Sequence, residues 1–329
     1  MGIAAVLILL AVELVLGWPS LAGALRQLRT PHLGWLALAT LVELAAMNAY
    51  GRMQRQLLRS AGVRAPMIEH LRLAYAAHSL SVTLPGGPAF STRFNYQQMR
   101  RLGASPAIAS WAIVLSGILS TCGLGVVTLG SALAAGGATH WQHLLWWLLA
   151  AVALTLGVRH LARHPEVLGS PLAVVNRLRR RPAAAGSDRL SGFLEQLRAA
   201  RLTPGRGGLA ALLALANWLL DALCLWLCFR AVGEQPAPLT VVLLAFCAAM
   251  AAGTITIVPG GLGIIDSALI LGLIAGGVPT AAAVAAVVLY RVISFGFIVA
   301  LGWLSWLGMR APHDTTATPV APIVADALA

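Results

Sequence analysis

Ser81-Val82-Thr83-Leu84-Pro85-Gly86-Gly87 and Thr254-Ile255-Thr256-Ile257-Val258-Pro259-Gly260-Gly261 are two versions of one phrase, each set in the middle of apolar sequence. An alternation of small polar and β-branched residues leads into each copy. Another proline, Pro106 or Pro279, follows and opens a long apolar segment. The chain therefore reads as internally duplicated. Matched Gly/Pro-interrupted hydrophobic segments in two halves are the sequence pointer to a central site in a membrane transporter.

Composition fixes the class. With 59% hydrophobic and 10% charged residues in 329, and a mean hydropathy of +0.81, the chain carries too much apolar surface for a soluble domain. It reads as a polytopic membrane protein. The net charge of +12 is carried by arginine without lysine. These arginines cluster between apolar runs, where they set topology and meet anionic headgroups, so no nucleic-acid partner is expected. Cys122, Cys224, Cys228 and Cys247 fall in apolar segments without the spacing of a zinc site. They are expected to be small core residues, with no metal and no cofactor.

Spans of about 20 apolar residues are expected near 3–18, 33–51, 106–134, 141–161, 208–230 and 280–307. Met1 to Trp18 lacks a positive leader and contains Glu13, so it reads as a first transmembrane helix. Two apolar hairpins, 69–103 and 238–276, are each bent at their Pro-Gly-Gly. The run Leu73 to Leu84 has the length of a re-entrant half-helix. The second hairpin is expected to have longer arms that could cross fully. The predicted fold is an all-α, inverted-repeat helical bundle of about six full spans plus two bent hairpins, or about eight spans counting the hairpins. A single transmembrane domain covers 1–310, with repeat one near 33–134 and repeat two near 208–307. A basic loop fills 162–207, and 311–329 reads as a disordered Thr/Pro/Ala tail.

Orientation follows from arginine. Segment 159–206 is arginine-rich, whereas 135–140 has none, which makes the basic segment cytoplasmic. Counting back, Arg52, Arg55, Arg59, Arg64, Arg100 and Arg101 are cytoplasmic too, as is the C-terminus, in the cell membrane. Arg26 and Arg29 dissent. Three crossings separate the helix at 33–51 from its counterpart at 208–230, so the repeats have opposite orientation and the two bends approach each other near the midplane. Such bends leave backbone groups unpaired, so they must line a cavity or be buried in protein.

Ionisable residues at membrane depth are functional candidates, because each costs at least ~2.5–3.5 kcal/mol to insert. Asp266, just past the second bend, reads as a helix cap or as a proton- or cation-coupling group. Arg291 lies deep in its span and needs a partner. The alternatives are a buried pair with Asp266 or Asp221, or a phosphate-holding guanidinium. Arg93 and Gln97 share a face of the first hairpin's second arm with Arg100. The candidate translocation site is thus Pro85, Gly86, Gly87, Arg93, Gln97, Pro259, Gly260, Gly261, Gly263, Asp266, Tyr290 and Arg291. Glu43, Asn48, His78 and Asp221 are secondary candidates, and no catalytic residue is expected. Residues 187–202 place Leu190, Phe193, Leu194 and Leu197 on one stripe among arginines, an amphipathic helix on the cytoplasmic leaflet.

Leu84-Pro85-Gly86-Gly87 with its arm ending Arg100-Arg101-Leu102-Gly103, Pro259-Gly260-Gly261-Leu262-Gly263 with Asp266, and Leu289-Tyr290-Arg291 together resemble the flippase-like membrane region of lysylphosphatidylglycerol synthases over roughly 30–308. The resemblance implies a stand-alone bacterial membrane protein whose bifunctional relatives aminoacylate phosphatidylglycerol and move the product between leaflets. The transferase chemistry of those relatives belongs to a soluble domain for which this sequence leaves no room. Asp266 stands where glutamate is usual, and Pro88-Ala89-Phe90-Ser91 where many members have further glycines and an acid. The expected function is translocation of an anionic or aminoacylated phospholipid or a polyprenyl-phosphate lipid. The alternatives are an accessory subunit of a lipid-modifying or envelope synthase, and an integral-membrane lipid-linked transferase.

Overall fold

The computed structural model describes residues 31–136, 203–235, 237–253 and 259–310. The expected helices at 3–18, 141–161 and 187–202, most of the basic loop, residues 254–258 of the second motif and the tail lie outside the described residues.

Eight helices and no strand occur among the described residues. They are α1 (Leu33–Ser60), α2 (Met67–Thr83), α3 (Gly87–Arg101), α4 (Pro106–Ala134), α5 (Pro204–Ala231), α6 (Leu239–Gly253), α7 (Ile264–Ala275) and α8. Helix α8 runs from Thr280 to Arg291, through a π-helical turn at Val292–Phe297, and on from Ile298 to Arg310.

Local chemistry explains where they start. Proline opens α4 and α5, where its missing N–H costs nothing. The Ser105 hydroxyl also accepts from Ile108 N at 3.3 Å to cap α4. Helix α1 continues past the expected end at residue 51 to Ser60. Arg52, Gln54, Arg55 and Gln56 lower hydropathy without opposing helix, so the apolar span ends before the helix does.

Four helices, α1, α4, α5 and α8, are long and apolar enough to cross a membrane. They coincide with four of the expected spans. The second hairpin departs from expectation in its second arm, since α7 has 12 residues against 15 for α3. A 12-residue helix reaches only ~18 Å, short of a hydrocarbon core of about 30 Å.

The bundle is built on α1 against α5. His32 N donates to Ala231 O at 2.8 Å at one end, and Arg206 Nη1 donates to Arg59 O at 3.1 Å at the other, so the two helices run antiparallel. The last helix of each half packs on the first hairpin arm of the other, α8 on α2 and α4 on α6. In the first of these contacts Ser79 Oγ donates to Val299 O at 3.0 Å. Gly302 lies so close that a Cβ there would stand 2.8 Å from Ser79 Cβ.

Apolar burial falls into two main groups. One joins α5, α6, α7 and the first part of α8 through Phe229, Phe246, Leu269 and Leu273. The other joins α1 to α5 through Met53, Leu57, Leu73, Met99 and Ala214. Cys224, Cys228 and Cys247 are buried and reduced within this packing, as expected of core residues. Leu41, Leu271, Leu304 and Leu307 are more than half exposed, the apolar outer surface of a membrane protein.

Candidate functional site

The Pro259–Gly261 turn between α6 and α7 needs backbone angles that only glycine adopts cheaply. Gly260 has φ 66°, Gly261 φ 59° and Gly263 φ 82°. The turn presses on the first hairpin, since a Cβ on Gly260 would lie 3.1 Å from the Val82 carbonyl oxygen at the end of α2. The two Pro-Gly-Gly bends therefore adjoin. In the first bend Gly87 N donates to Leu84 O at 2.8 Å. Gly86 has φ 69°, and a Cβ on Gly87 would stand 2.7 Å from the Leu80 carbonyl. Pro85 and Gly86 are exposed.

One arginine holds the second bend. Arg291 Nη2 donates to Gly260 O at 2.9 Å, while its Nε pairs with Asp266 Oδ1 at 2.5 Å. The Asp266 Oδ2 accepts from Gly263 N at 2.9 Å, closing the start of α7. Asp266 is therefore both a cap and an ion-pair partner. Arg291 is the residue at which α8 leaves α-helical bonding for its π turn, a distortion frequent at functional sites. That turn brings Phe295 5.5 Å from the guanidinium and also against Gly260.

A second polar group adjoins this one. Tyr290 O–H donates to Asp221 Oδ1 at 2.7 Å. Asp221 of α5 and Glu43 of α1 lie within hydrogen-bonding reach of each other, with Cys224 beside Glu43. His78 and Asp221 both lie within the electrostatic field of Arg291. Glu43 is 5% exposed. Glu43, Asp221 and Arg291 each stand about 15 Å along the helix from its nearer or opening end, close to half a membrane thickness. Glu43, Asp221, Asp266, Tyr290 and Arg291 are thus gathered from α1, α5, α7 and α8.

Over residues 2–302 the chain matches the family described as lysylphosphatidylglycerol synthase TM region. The chain belongs to that family. No curated protein matches it. Membership in the lysylphosphatidylglycerol synthase TM region family ties the chain to membrane lipids, and the matched residues include both bends, Asp266 and Arg291.

The other candidates separate from the centre. Arg93 and Gln97 are exposed on α3, whose buried face is Ser91, Asn95 and Met99. No hydrogen bond or ion pair joins either to the central cluster among the described residues. Asn48 Nδ2 donates to Leu44 O at 2.9 Å within its own helix. Sequence reading did not single out Phe295, the π turn or the Val82 carbonyl. A π turn has no composition of its own, and Val292 to Phe297 reads as ordinary apolar helix.

Proposed function

We propose that this chain is a non-enzymatic lipid translocase of the cell membrane, moving an anionic or aminoacylated phospholipid or a polyprenyl-phosphate lipid between leaflets. The observation that carries the reading is the Arg291 guanidinium, held at half-depth between the Asp266 carboxylate and the carbonyl of a glycine bend. A phosphate-bearing headgroup is the natural competitor for that guanidinium, since it offers paired oxygens in the geometry a carboxylate offers. Taking Arg291 from Asp266 also loosens its hold on Gly260, so headgroup capture and movement of the bend share one side chain. Irregular backbone at this depth needs protein or a polar cavity around it, and the second bend, packed at Gly260 against Phe295 and the Val82 carbonyl, meets that requirement.

The halves are read as an inverted repeat. Antiparallel α1 and α5, and the reciprocal packing of α8 on α2 and α4 on α6, support a two-fold relation. Arg52, Arg59, Arg64 and Arg206 gather where α1 ends and α5 begins, which supports a cytoplasmic position for that end. Single cysteines at Arg64 and Glu234 should label from opposite sides of sealed vesicles, Arg64 from the cytoplasmic one. Labelling of both from one side sinks the arrangement.

Lipid movement is the direct test. In proteoliposomes with headgroup-labelled phosphatidylglycerol, lysylphosphatidylglycerol or a short-chain polyprenyl phosphate, wild-type protein should accelerate loss of one lipid from the labelled leaflet. Arg291→Ala and Asp266→Asn should slow it at least tenfold, which equals about 1.4 kcal/mol of barrier. Well-folded protein that moves none of the three lipids overturns the translocase and favours an accessory subunit.

A further inference from the structure

The central cluster does not balance in charge. Arg291 is engaged by Asp266 and the Gly260 carbonyl. Among the described residues that leaves Glu43 and Asp221 facing each other with no cation but Arg291 near them. The described groups around them are Cys224 and Cys228 from α5, Tyr75 from α2, and Tyr290 and Arg291 from α8. His78 of α2 lies on the Arg291 side, and α4 carries no acidic or basic residue. Tyr290 supplies one O–H, and it goes to Asp221 Oδ1. Glu43 Oε2 is fully shielded from solvent and receives no donor among the described residues. Two carboxylates within hydrogen-bonding reach have nothing to donate to each other, and like charges so placed cannot both ionise. A single shared proton satisfies both, and such a pair titrates as a unit.

We propose that Glu43 and Asp221, braced by Tyr290, form a proton-binding site that couples lipid movement to the proton gradient. The coupling rests on the translocase reading above, whereas the proton site stands on its own geometry. Arg291 links the two. With the proton bound, the pair carries one negative charge and Arg291 stays with Asp266 and the bend. When the proton leaves, two negative charges lie within the field of Arg291, and the guanidinium is drawn toward Asp221 and off Gly260. The bend that holds the lipid site is then released. No bond other than the O–H is made or broken, and the proton goes to whichever aqueous side the open conformation faces.

Two measurements on the full chain separate the parts. Infrared difference spectroscopy in liposomes at neutral pH should show the C=O stretch of a protonated carboxylic acid in wild type. That band should be lost in Glu43→Gln and in Asp221→Asn, and Tyr290→Phe should shift it rather than remove it. These near-isosteric variants keep the volume of the site, and size-exclusion profiles check their folding. In proteoliposomes an imposed pH gradient should change the rate of headgroup-labelled phosphatidylglycerol movement severalfold in wild type, with the ratio falling to one in Glu43→Gln. Absence of the band in wild type overturns the proton site. A band present with gradient-independent movement overturns the coupling alone. If wild type moves neither phosphatidylglycerol, lysylphosphatidylglycerol nor a polyprenyl phosphate, the translocase reading and the coupling fall together, and the band still decides the proton site.

Discussion

Removing Arg291 while Asp266 remains is expected to cost about 3 kcal/mol of stability, the lower end of what losing one partner of a buried ion pair costs. The lower end applies because the two side chains are 17% and 25% exposed. Two groups lose their donor at once, the Asp266 carboxylate and the Gly260 carbonyl. Arg291→Lys should recover little, because one ammonium on a flexible stem does not reproduce a planar fork with fixed donors. Asp266→Asn in the Arg291→Gln background should restore part of the loss, since the buried charge then disappears with its partner. Thermal unfolding of the detergent-solubilised single and double variants closes the cycle, with an expected coupling of ~1–3 kcal/mol. Additivity of the two substitutions means the pair contributes nothing, and the account of the bend fails with it.

Gly260→Ala is expected to cost roughly 2–5 kcal/mol, combining a left-handed backbone with steric overpacking. The φ of 66° disfavours any L side chain. A Cβ would also stand 2.5 Å from Phe295 Cε2 and 3.1 Å from the Val82 carbonyl. The two causes are separable. Phe295→Leu should relieve the ring contact and return part of the loss, leaving the backbone term and the Val82 contact in place. Gly117→Ala in α4, where nothing lies within 4 Å of a Cβ, is the control and should be tolerated. Equal thermal stability of Gly260→Ala and Gly117→Ala would show that the second bend is not the constrained element described above.

Much of the fold was legible because it follows from local rules. Apolar length marked the four described spans, proline marked the starts of α4 and α8, and paired glycines marked both bends. The helix ends were harder. Helix α1 runs on to Ser60 because arginine and glutamine accept helical backbone as readily as leucine does. The second arm of the second hairpin was overestimated because hydropathy extends across the Pro-Gly-Gly without registering the break in helix.

The site divides in the same way. Asp266 and Arg291 stood out as costly charges in apolar sequence, and their pairing was one of two choices left open. Arg93 stood out for the same reason, yet it is exposed on α3, because the turn at Gly86 and Gly87 directs Ser91, Asn95 and Met99 inward instead. Glu43 and Asp221 lie far apart in the chain, and nothing in their neighbourhoods marks them as partners.

The sequence by itself determined that this is an all-helical membrane protein with two matched bends, since hydropathy, proline and glycine act within one segment at a time. Only the tertiary structure decided that Arg291 holds Asp266 and Gly260 together, that Phe295 reaches that bend through a π turn, and that Glu43 meets Asp221 beside that group. Those contacts depend on the rotation of each helix about its axis, which the packing of α1 on α5 and of α8 on α2 sets and no single segment encodes.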